Sequence, residues 1–170
     1  MANFEEQLYC DFTGIAQEGM AGKDILLAVF DQTGENLLAI AGQQNLTINR
    51  EKESIEVDTK TTGGWKQKLH GMKDWSIEVD GLYVGTDASH KALSHAFNND
   101  EFICLKVVDI KNKQAMFGGL AILSDYPIEA PFDDGVTYSA TLDGTGPLVD
   151  LQEDDTAPQM PTGYETAPGV

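Results

Sequence analysis

The stretch "DWSIEVDGLY", residues 74–83, carries the clearest structural pattern in the sequence. Apolar or small residues alternate with polar ones: Trp75, Ile77, Val79, Gly81 and Tyr83 on one side, Asp74, Ser76, Glu78 and Asp80 on the other. A period of two places successive side chains on opposite faces of a strand. The stretch therefore predicts a half-buried strand of an antiparallel sheet.

The segments on both sides of this strand extend the β pattern. Upstream, short apolar or alternating runs cover residues 24–31, 45–50 and 54–58, and the last two are predicted to form one extended excursion that leads into 59–73. Downstream, runs at 101–110, 115–123 and 136–144 are typical of strands, with a Gly-Gly bend or bulge at 118–119. In the last run Tyr138, Ala140 and Leu142 are expected to point inward.

One segment, "TDASHKALSHAFNND" at 86–100, predicts a helix. Thr86 or Asp87 is a suitable N-cap, and Asn98 and Asn99 can end the helix. The predicted buried face contains Ala88, Ala92, Leu93, Ala96 and Phe97. One helix among many strands predicts an α+β class that is mainly β.

Length and charge restrict the possible functions. At 170 residues the chain is long enough for one well-buried core. Its formal net charge is −17 with only 11 Lys and Arg, which argues against tight binding of nucleic acid because phosphate contacts require basic side chains. The N-terminus has no signal-peptide pattern and no run of 18 apolar residues occurs, so we expect a cytosolic origin and no membrane contact. Cys10 and Cys104 form no CxxC pair, which favours a reducing compartment, and a single disulfide bridge between them stays open as the alternative.

The few positive charges are concentrated in one segment. Six of the 11 basic residues lie within 24 positions, and Trp65 lies among them beside two glycines. We predict an inter-subunit loop that contains Arg50, Lys52, Lys60, Trp65, Lys66, Lys68 and Lys73. An exposed Trp is a common interface anchor. A hairpin tip that is merely solvated is the structural alternative.

The other end of the sequence is purely acidic. No Lys or Arg follows Lys113, and ten carboxylates do. Complementary patches on different sides of one molecule favour head-to-tail association, which generates rings or filaments. The predicted acidic lumen or docking surface comprises Asp125, Glu129, Asp133, Asp134 and Asp143.

Motifs for chemistry are weak throughout the sequence. His90 and His95 are five apart on the predicted helix, a spacing that does not place two ligands on one face, so we expect solvent-exposed helix histidines rather than a metal site. Asp133 and Asp134 precede Gly135 after a proline, which indicates a turn rather than an acid–base pair. There is no GxSxG elbow and no P-loop. The sequence predicts no catalytic residue, no metal and no cofactor.

Several segments in order resemble a known family: "GKDILLAVF" at 22–30, "ESIEVDTKTTGGWKQKLHGMKDWSIEVDGLYVGTDASHKALSHAF" at 53–97 and "GVTYSATLDGTGPL" at 135–148. Together they resemble the major tail proteins of long-tailed phages, of the lactococcal siphophage type, and of phage-like particles. The likeness covers about residues 22–149. It implies a tail-tube fold, an antiparallel β-sandwich or barrel-like structure with one flanking helix and a long extended loop at about residues 49–74.

The resemblance also implies a structural function. Six copies would form a ring through sheet pairing, and rings would stack into a hollow tube around a tape-measure protein, with tail terminator and distal tail proteins as further partners. DNA would pass through the lumen without specific binding, and the protein would belong to the virion after assembly in the host cytoplasm. The loop would reach a neighbouring subunit or ring, so its lysines and Trp65 would dock on an acidic surface of the next copy.

The predicted organisation is an N-terminal arm at 1–22, a tail-tube domain at 23–149 and an acidic, Pro-containing tail at 150–170. Two other functions stay open at this point. One is an inner-tube subunit of a contractile injection or secretion machine. The other is a monomeric β-sandwich binding module, which predicts a concave pocket with exposed aromatics and no concentration-dependent assembly. An enzyme is the least favoured class.

Overall fold

The computed structural model describes residues 19–58, 60 and 63–152, so the predicted N-terminal arm and C-terminal tail lie almost wholly outside the described residues. A 3-10 turn, Gly22–Asp24, precedes the first strand. The strands are β1 Ile25–Phe30, β2 Leu37–Ala39, β3 Gln43–Val57, β4 Gln67–Leu82, β5 Ile103–Asp109, β6 Gln114–Asp125, β7 Ile128–Glu129 and β8 Thr137–Asp150; helix α1 is Ala88–Asn98.

The strands form one antiparallel sheet in the order β2-β1-β5-β6-β8-β4-β3, with β7 added beside β8. The Gln43 side chain brings the two ends of this sheet together. Its Oε1 accepts from the Leu27 N–H at 2.9 Å, and its Nε2 donates to the carbonyl of Leu27 at 2.6 Å and of Ile40 at 2.9 Å. The amide thus provides an acceptor for the Leu27 N–H and a further donor to the Leu27 carbonyl, which also accepts from the Ile40 N–H at 3.1 Å. The mainly β, barrel-like fold is confirmed, with one α-helix in the part of the chain that the structure describes.

The alternating pattern of residues 74–83 is confirmed in β4. Trp75, Ile77 and Val79 are buried, while Glu78 and Asp80 are exposed. Their neighbours Ala140 and Leu142 on β8 are also buried, which agrees with the predicted inward positions of the last strand. The upstream runs at 45–50 and 54–58 do form one strand, the 15-residue β3. The short strands β2 and β7 lacked a sufficient sequence pattern.

The predicted buried face of the helix was partly wrong. Asp87 caps α1, since its side chain accepts from the Ser89 N–H, and Leu93 and Ala96 are buried as expected. Ala88 and Phe97, however, are exposed. The buried positions are Ser89, His90, Leu93 and Ala96, because the helix is rotated toward a polar and aromatic cluster beneath it.

His90 lies at the centre of that cluster, so the prediction of a solvent-exposed helix histidine was wrong for this residue. It is 1% exposed, and its Nε2 donates to the Ala41 carbonyl at 2.9 Å. Its Nδ1 lies 2.7 Å from the Tyr126 hydroxyl, and the Tyr138 ring packs edge-on at 4.5 Å between centroids. Burial raises the pKa of Tyr126 to about 12 and that of Tyr138 still further. This network attaches the helix to the sheet.

The Trp75 side chain packs against two glycines, Gly144 on the neighbouring strand β8 and Gly119 on β6, the next strand beyond it. A Cβ at Gly144 would overlap its indole ring, and a Cβ at Gly119 would lie 2.7 Å from it. Its Nε1 donates to the Gly146 carbonyl at 2.9 Å. The predicted bend at Gly118–Gly119 therefore has a packing role, because the missing side chain at 119 makes room for the indole. Trp75 pairs with Arg50 at the point where β3 and β4 leave the body of the protein.

Candidate assembly surfaces

The first surface is the projecting hairpin, which we define as residues 50–74. Strands β3 and β4 remain paired with each other from Arg50–Trp75 to Val57–Gln67, but the pairing of β4 with β8 ends at Ser76. Eight strand residues beyond that point, at about 3.3 Å each, extend about 25 Å from the body. The sequence predicted the first part of this excursion from the runs at 45–50 and 54–58, and the family resemblance implied a long loop at about residues 49–74.

The projecting hairpin exposes several large apolar side chains. Trp65 is 82% exposed and Met72 81%, and Ile55 and Leu69 are cross-strand partners that are each more than half exposed. A hairpin in contact with water only would gain nothing from these groups. Exposed apolar side chains concentrated on one protruding element indicate an interaction surface.

The basic charge of the hairpin is largely balanced by its own first strand. Residues 50–74 contain six Lys or Arg and five Asp or Glu, a formal charge of +1. Lys66 and Lys68 both approach Glu56, with Nζ–Oε distances of 3.3 and 4.0 Å. The local basic excess that 59–73 has in sequence is thus cancelled by antiparallel pairing, and the hairpin is nearly neutral on a strongly acidic protein.

The seven predicted loop residues do not all have the same role in the structure. Lys60, Trp65, Lys66 and Lys68 lie at or near the tip of the hairpin, and all four are exposed. Lys52 and Lys73 face each other nearer the base. Arg50 is at the base itself, where its guanidinium lies 5.2 Å from the centroid of the Phe117 ring, so it contacts its own subunit.

The second surface is a polar face built from three cross-strand rows on β3, β4 and β8. Each row contains one carboxylate and two small polar side chains, and all nine residues are exposed or half-exposed. Asn45 donates to Asp80 at 2.8 Å and so ties two strands together on this face. We define the polar face as Asn45, Asp80 and Ser139, then Thr47, Glu78 and Thr141, then Asn49, Ser76 and Asp143.

The predicted acidic residues divide into two groups. Asp143 belongs to the polar face, and Asp125 continues the middle row because it pairs with Thr141. Glu129, on the short strand β7, pairs with Thr137 at the beginning of β8. Asp133 and Asp134 lie instead in the exposed connection before β8, where the Asp134 side chain accepts from the Gly135 N–H at 2.7 Å, as in the predicted turn.

Glu78 and Asp80 were missed as candidates although they lie at the centre of the polar face. The signal was present in the sequence, since both alternate with the buried Ile77 and Val79. The sequence alone does not show that β4 lies between β3 and β8. The polar residues of those two strands that pair with Glu78 and Asp80 could therefore not be predicted. No Lys or Arg occupies any of the nine positions.

Two edges of this part of the sheet have no strand partner among the described residues. Beyond Gln43, β3 is paired only with β4. At the other side, β6 pairs with β5 only up to Ala121, so the backbone from Ile122 to Asp125 is paired with β8 alone. Open edges are ready to pair with another chain.

Within the part of the chain that the structure describes, no group of three or more His, Cys, Asp or Glu is arranged to hold a metal ion. None of the helices described there is long and apolar enough to span a bilayer. His95 is half-buried, and its Nδ1 lies 3.3 Å from the Glu101 carboxylate, with which it forms an isolated pair among the described residues rather than a group of three ligands.

The described residues thus form a rolled antiparallel sheet with one covering helix, two open edges and a projecting hairpin, which defines a mainly β protein with surfaces suited to association. The model of the phage tail tube protein family matches residues 19–150, and the chain belongs to that family. It is therefore a structural subunit of the tail tube of a phage or phage-like particle. Comparison with curated proteins returned no match.

Solved structures share the fold. The tail of an empty gene transfer agent particle, refined with C6 symmetry, has a TM-score of 0.68 and 21% identity, over 78% of this chain and 98% of the other. The SPP1 tail tube has a TM-score of 0.67 and 19% identity, over 87% and 84%. The baseplate of the anti-feeding prophage has a TM-score of 0.59 and 8% identity, over 80% and 98%.

Proposed function

We propose that six copies of this chain form a ring, and that rings stack into a hollow tube whose channel is lined by the polar face. The open edge of β3 in one copy would pair with the Ile122–Asp125 edge of β6 in the next. These edges lie on different parts of the molecule, so the contact is heterologous and a ring can close. The C6 symmetry of the similar gene transfer agent tail supports a ring of six.

The polar face is the observation that carries this proposal. If the sheet continues from copy to copy, one of its sides must face the channel, and the other is filled by the core and α1. The channel side then presents Glu78, Asp80 and Asp143 among Ser, Thr and Asn, without Lys or Arg. Six copies bring about −100 of formal charge to a ring, so phosphate groups are repelled and DNA can slide through without binding.

The proposed tube also implies partner proteins and a place of assembly. A tape-measure protein would occupy the channel before DNA, and tail terminator and distal tail proteins would contact the two ends of the tube. Assembly would take place in the host cytoplasm, followed by residence in the virion tail. The chain would have no catalytic activity and no cofactor, since its exposed carboxylates form rows that line a surface rather than converge on a substrate.

Assembly itself is the first test. We expect the purified chain at high concentration to form rings or tubes in negative-stain electron microscopy, with a ring mass by sedimentation six times that of one chain. Sheet pairing between open edges is concentration-dependent, so dilution should return monomers. A chain that stays monomeric at every concentration, also with purified distal tail proteins as initiator, would contradict the tube and favour the binding-module alternative.

A second expectation concerns the channel wall. Combining Glu78→Lys with Asp143→Lys should give tubes that retain short double-stranded DNA in a nuclease-resistant form, because 12 new cations per ring face the channel. The isosteric control, Glu78→Gln with Asp143→Asn, removes charge without adding cations and should retain little DNA. Retained DNA that nuclease digests would place the polar face on the outside of the tube, and a reversed variant that forms no rings would place it in a subunit contact.

An inner tube of a contractile machine is a second candidate, favoured by the similarity to the anti-feeding prophage baseplate. The fold is shared by both kinds of tube. The difference lies in the outer surface, because a contractile machine requires a sheath that contacts the tube. Co-sedimentation of assembled tubes with a sheath protein from the same genome would favour this candidate, and a tail operon without a sheath gene would remove it.

A further inference from the structure

The antiparallel order of the strands sorts the loops of this protein onto two opposite ends. Strand β4 runs from the projecting hairpin to Leu82, and the pairing of Leu82 with Thr137 places the connection before β8 at that second end. Following the register through β6, β5 and β1 assigns the other loops that contain charged residues. The hairpin end contains residues 19–24, the described residues of 58–66 (58, 60 and 63–66) and residues 110–113. The far end contains residues 31–36, 83–87, 98–102 and 126–136.

The two ends have opposite charge. The three hairpin-end segments contain five lysines and two aspartates. The four far-end segments contain eight carboxylates and no Lys, Arg or His. Hydrogen bonds stabilise the charged form of two of these carboxylates: those from Thr33 and Asn36 lower the pKa of Asp31 to about 2, and those from Ser89 lower the pKa of Asp87. This difference in charge between the two ends could not be predicted from the sequence, because the segments that form each end are far apart along the chain.

An exposed aromatic side chain lies at each end. Trp65 projects from the tip of the hairpin, and Phe132 of the far end is fully exposed. Phe132 precedes Asp133 and Asp134 in a connection that also contains Glu129. The far end thus combines apolar surface with negative charge. The hairpin tip combines apolar surface with Lys60 and with Lys66, which also pairs with Glu56 of its own hairpin at 3.3 Å. Complementary charge around an apolar centre is the usual composition of a protein interface.

We propose that the far-end connection at residues 126–136 is the acceptor for the hairpin tip of a second copy in the adjacent ring, with Trp65 against Phe132 and the tip lysines near Asp133 and Asp134. This rests on the proposed tube and specifies its ring-to-ring contact. The contact is head to tail, so it repeats without limit along the tube axis. The same chain cannot make it within itself, because the 16 residues of β4 separate its two ends by about 50 Å.

A photo-crosslink tests the acceptor directly. Trp65 is replaced by benzoyl-phenylalanine in the full chain, assembly is checked by electron microscopy, and irradiated tubes are digested for mass spectrometry. We expect crosslinks from position 65 to the peptide containing 126–136. Crosslinks to another region would show that residues 126–136 are not the acceptor, and they would leave the proposal of a tube unaffected. If the unmodified chain forms neither rings nor tubes, the proposed function fails, and that result is separate from the position of the crosslink.

A charge exchange supplies the second measurement. Asp133→Lys with Asp134→Lys should leave rings intact but reduce stacked tubes at least tenfold, because like charges then meet at the ring junction. Adding Lys60→Glu and Lys66→Glu to the same chain should restore stacking. The isosteric control, Asp133→Asn with Asp134→Asn, should be intermediate. Tubes of wild-type length from the reversed chain, or no recovery in the exchanged chain, would overturn the proposal.

Discussion

A triple variant that combines Trp65→Ala, Lys66→Glu and Lys68→Glu is expected to fold as a monomer and to form no stacked tubes. None of the three side chains contributes to the core, and the contacts of both lysines with Glu56 are exposed ion pairs worth about 1 kcal/mol or less each. Loss of an interface tryptophan typically costs about 2 kcal/mol or more. Because six copies repeat the loss at every ring junction, the effect on tube growth should be complete.

The measurement pairs electron microscopy with thermal unfolding. The variant should melt within a few degrees of the wild type while its tubes are absent and its rings persist. A matched control, Phe97→Ala with Lys91→Glu, removes an exposed aromatic and a lysine from the helix instead. It should assemble normally. Normal tubes from the triple variant would show that the hairpin does not dock, whatever the behaviour of the control.

The largest effect on stability is expected at Trp75 and the glycines that it packs against. Trp75→Ala should lower the free energy of unfolding by about 3–5 kcal/mol, the usual range for removing a buried large aromatic. Gly144→Ala should lower it by about 1–3 kcal/mol, because the added methyl group overlaps the indole ring. Both changes also loosen the base of the projecting hairpin, where Trp75 pairs with Arg50.

Chemical denaturation of the monomers would measure these losses, with Gly22→Ala as the control since a Cβ there meets no atom within 4 Å. A double-mutant cycle adds the mechanism. In a Trp75→Leu background the Gly144→Ala change should cost much less, which gives a coupling energy of about 1 kcal/mol or more. If the two losses of unfolding free energy were additive, Gly144 would be required for another reason, such as the backbone conformation of β8.

The location of the projecting hairpin could be predicted from the sequence, but its charge balance could not. Its position could be predicted from the upstream strand runs and from the family resemblance. Its Trp65 and its lysines could be predicted from the concentration of basic residues around two glycines. Its electrostatics could not, because the acidic residues 51–58 precede the basic ones in sequence and only antiparallel pairing places Glu56 beside Lys66 and Lys68. Charge counted along a chain differs from charge counted across a sheet.

Helix α1 and the polar face are two further features that the sequence predicted only in part. The helix could be predicted from its cap and period, but its buried face was misjudged since hydrophobicity does not identify a buried histidine that has two hydrogen-bond partners. Glu78 and Asp80 could be assigned to the polar side of β4. Their membership in rows with Ser139 and Thr141 depended on which strands lie beside β4.

The sequence by itself determined the mainly β class, the strand alternation of residues 74–83, the single helix, the projecting hairpin and the family resemblance, which the match over residues 19–150 confirmed. These properties follow from local periodicity, turn residues and the order of motifs, all of which can be read along one chain. Only the tertiary structure decided which carboxylates share a face, which edges stay open and which loops meet at each end. Those depend on strand order and register, where contacts join residues that are distant in sequence and the physical neighbours of a side chain are set by the sheet.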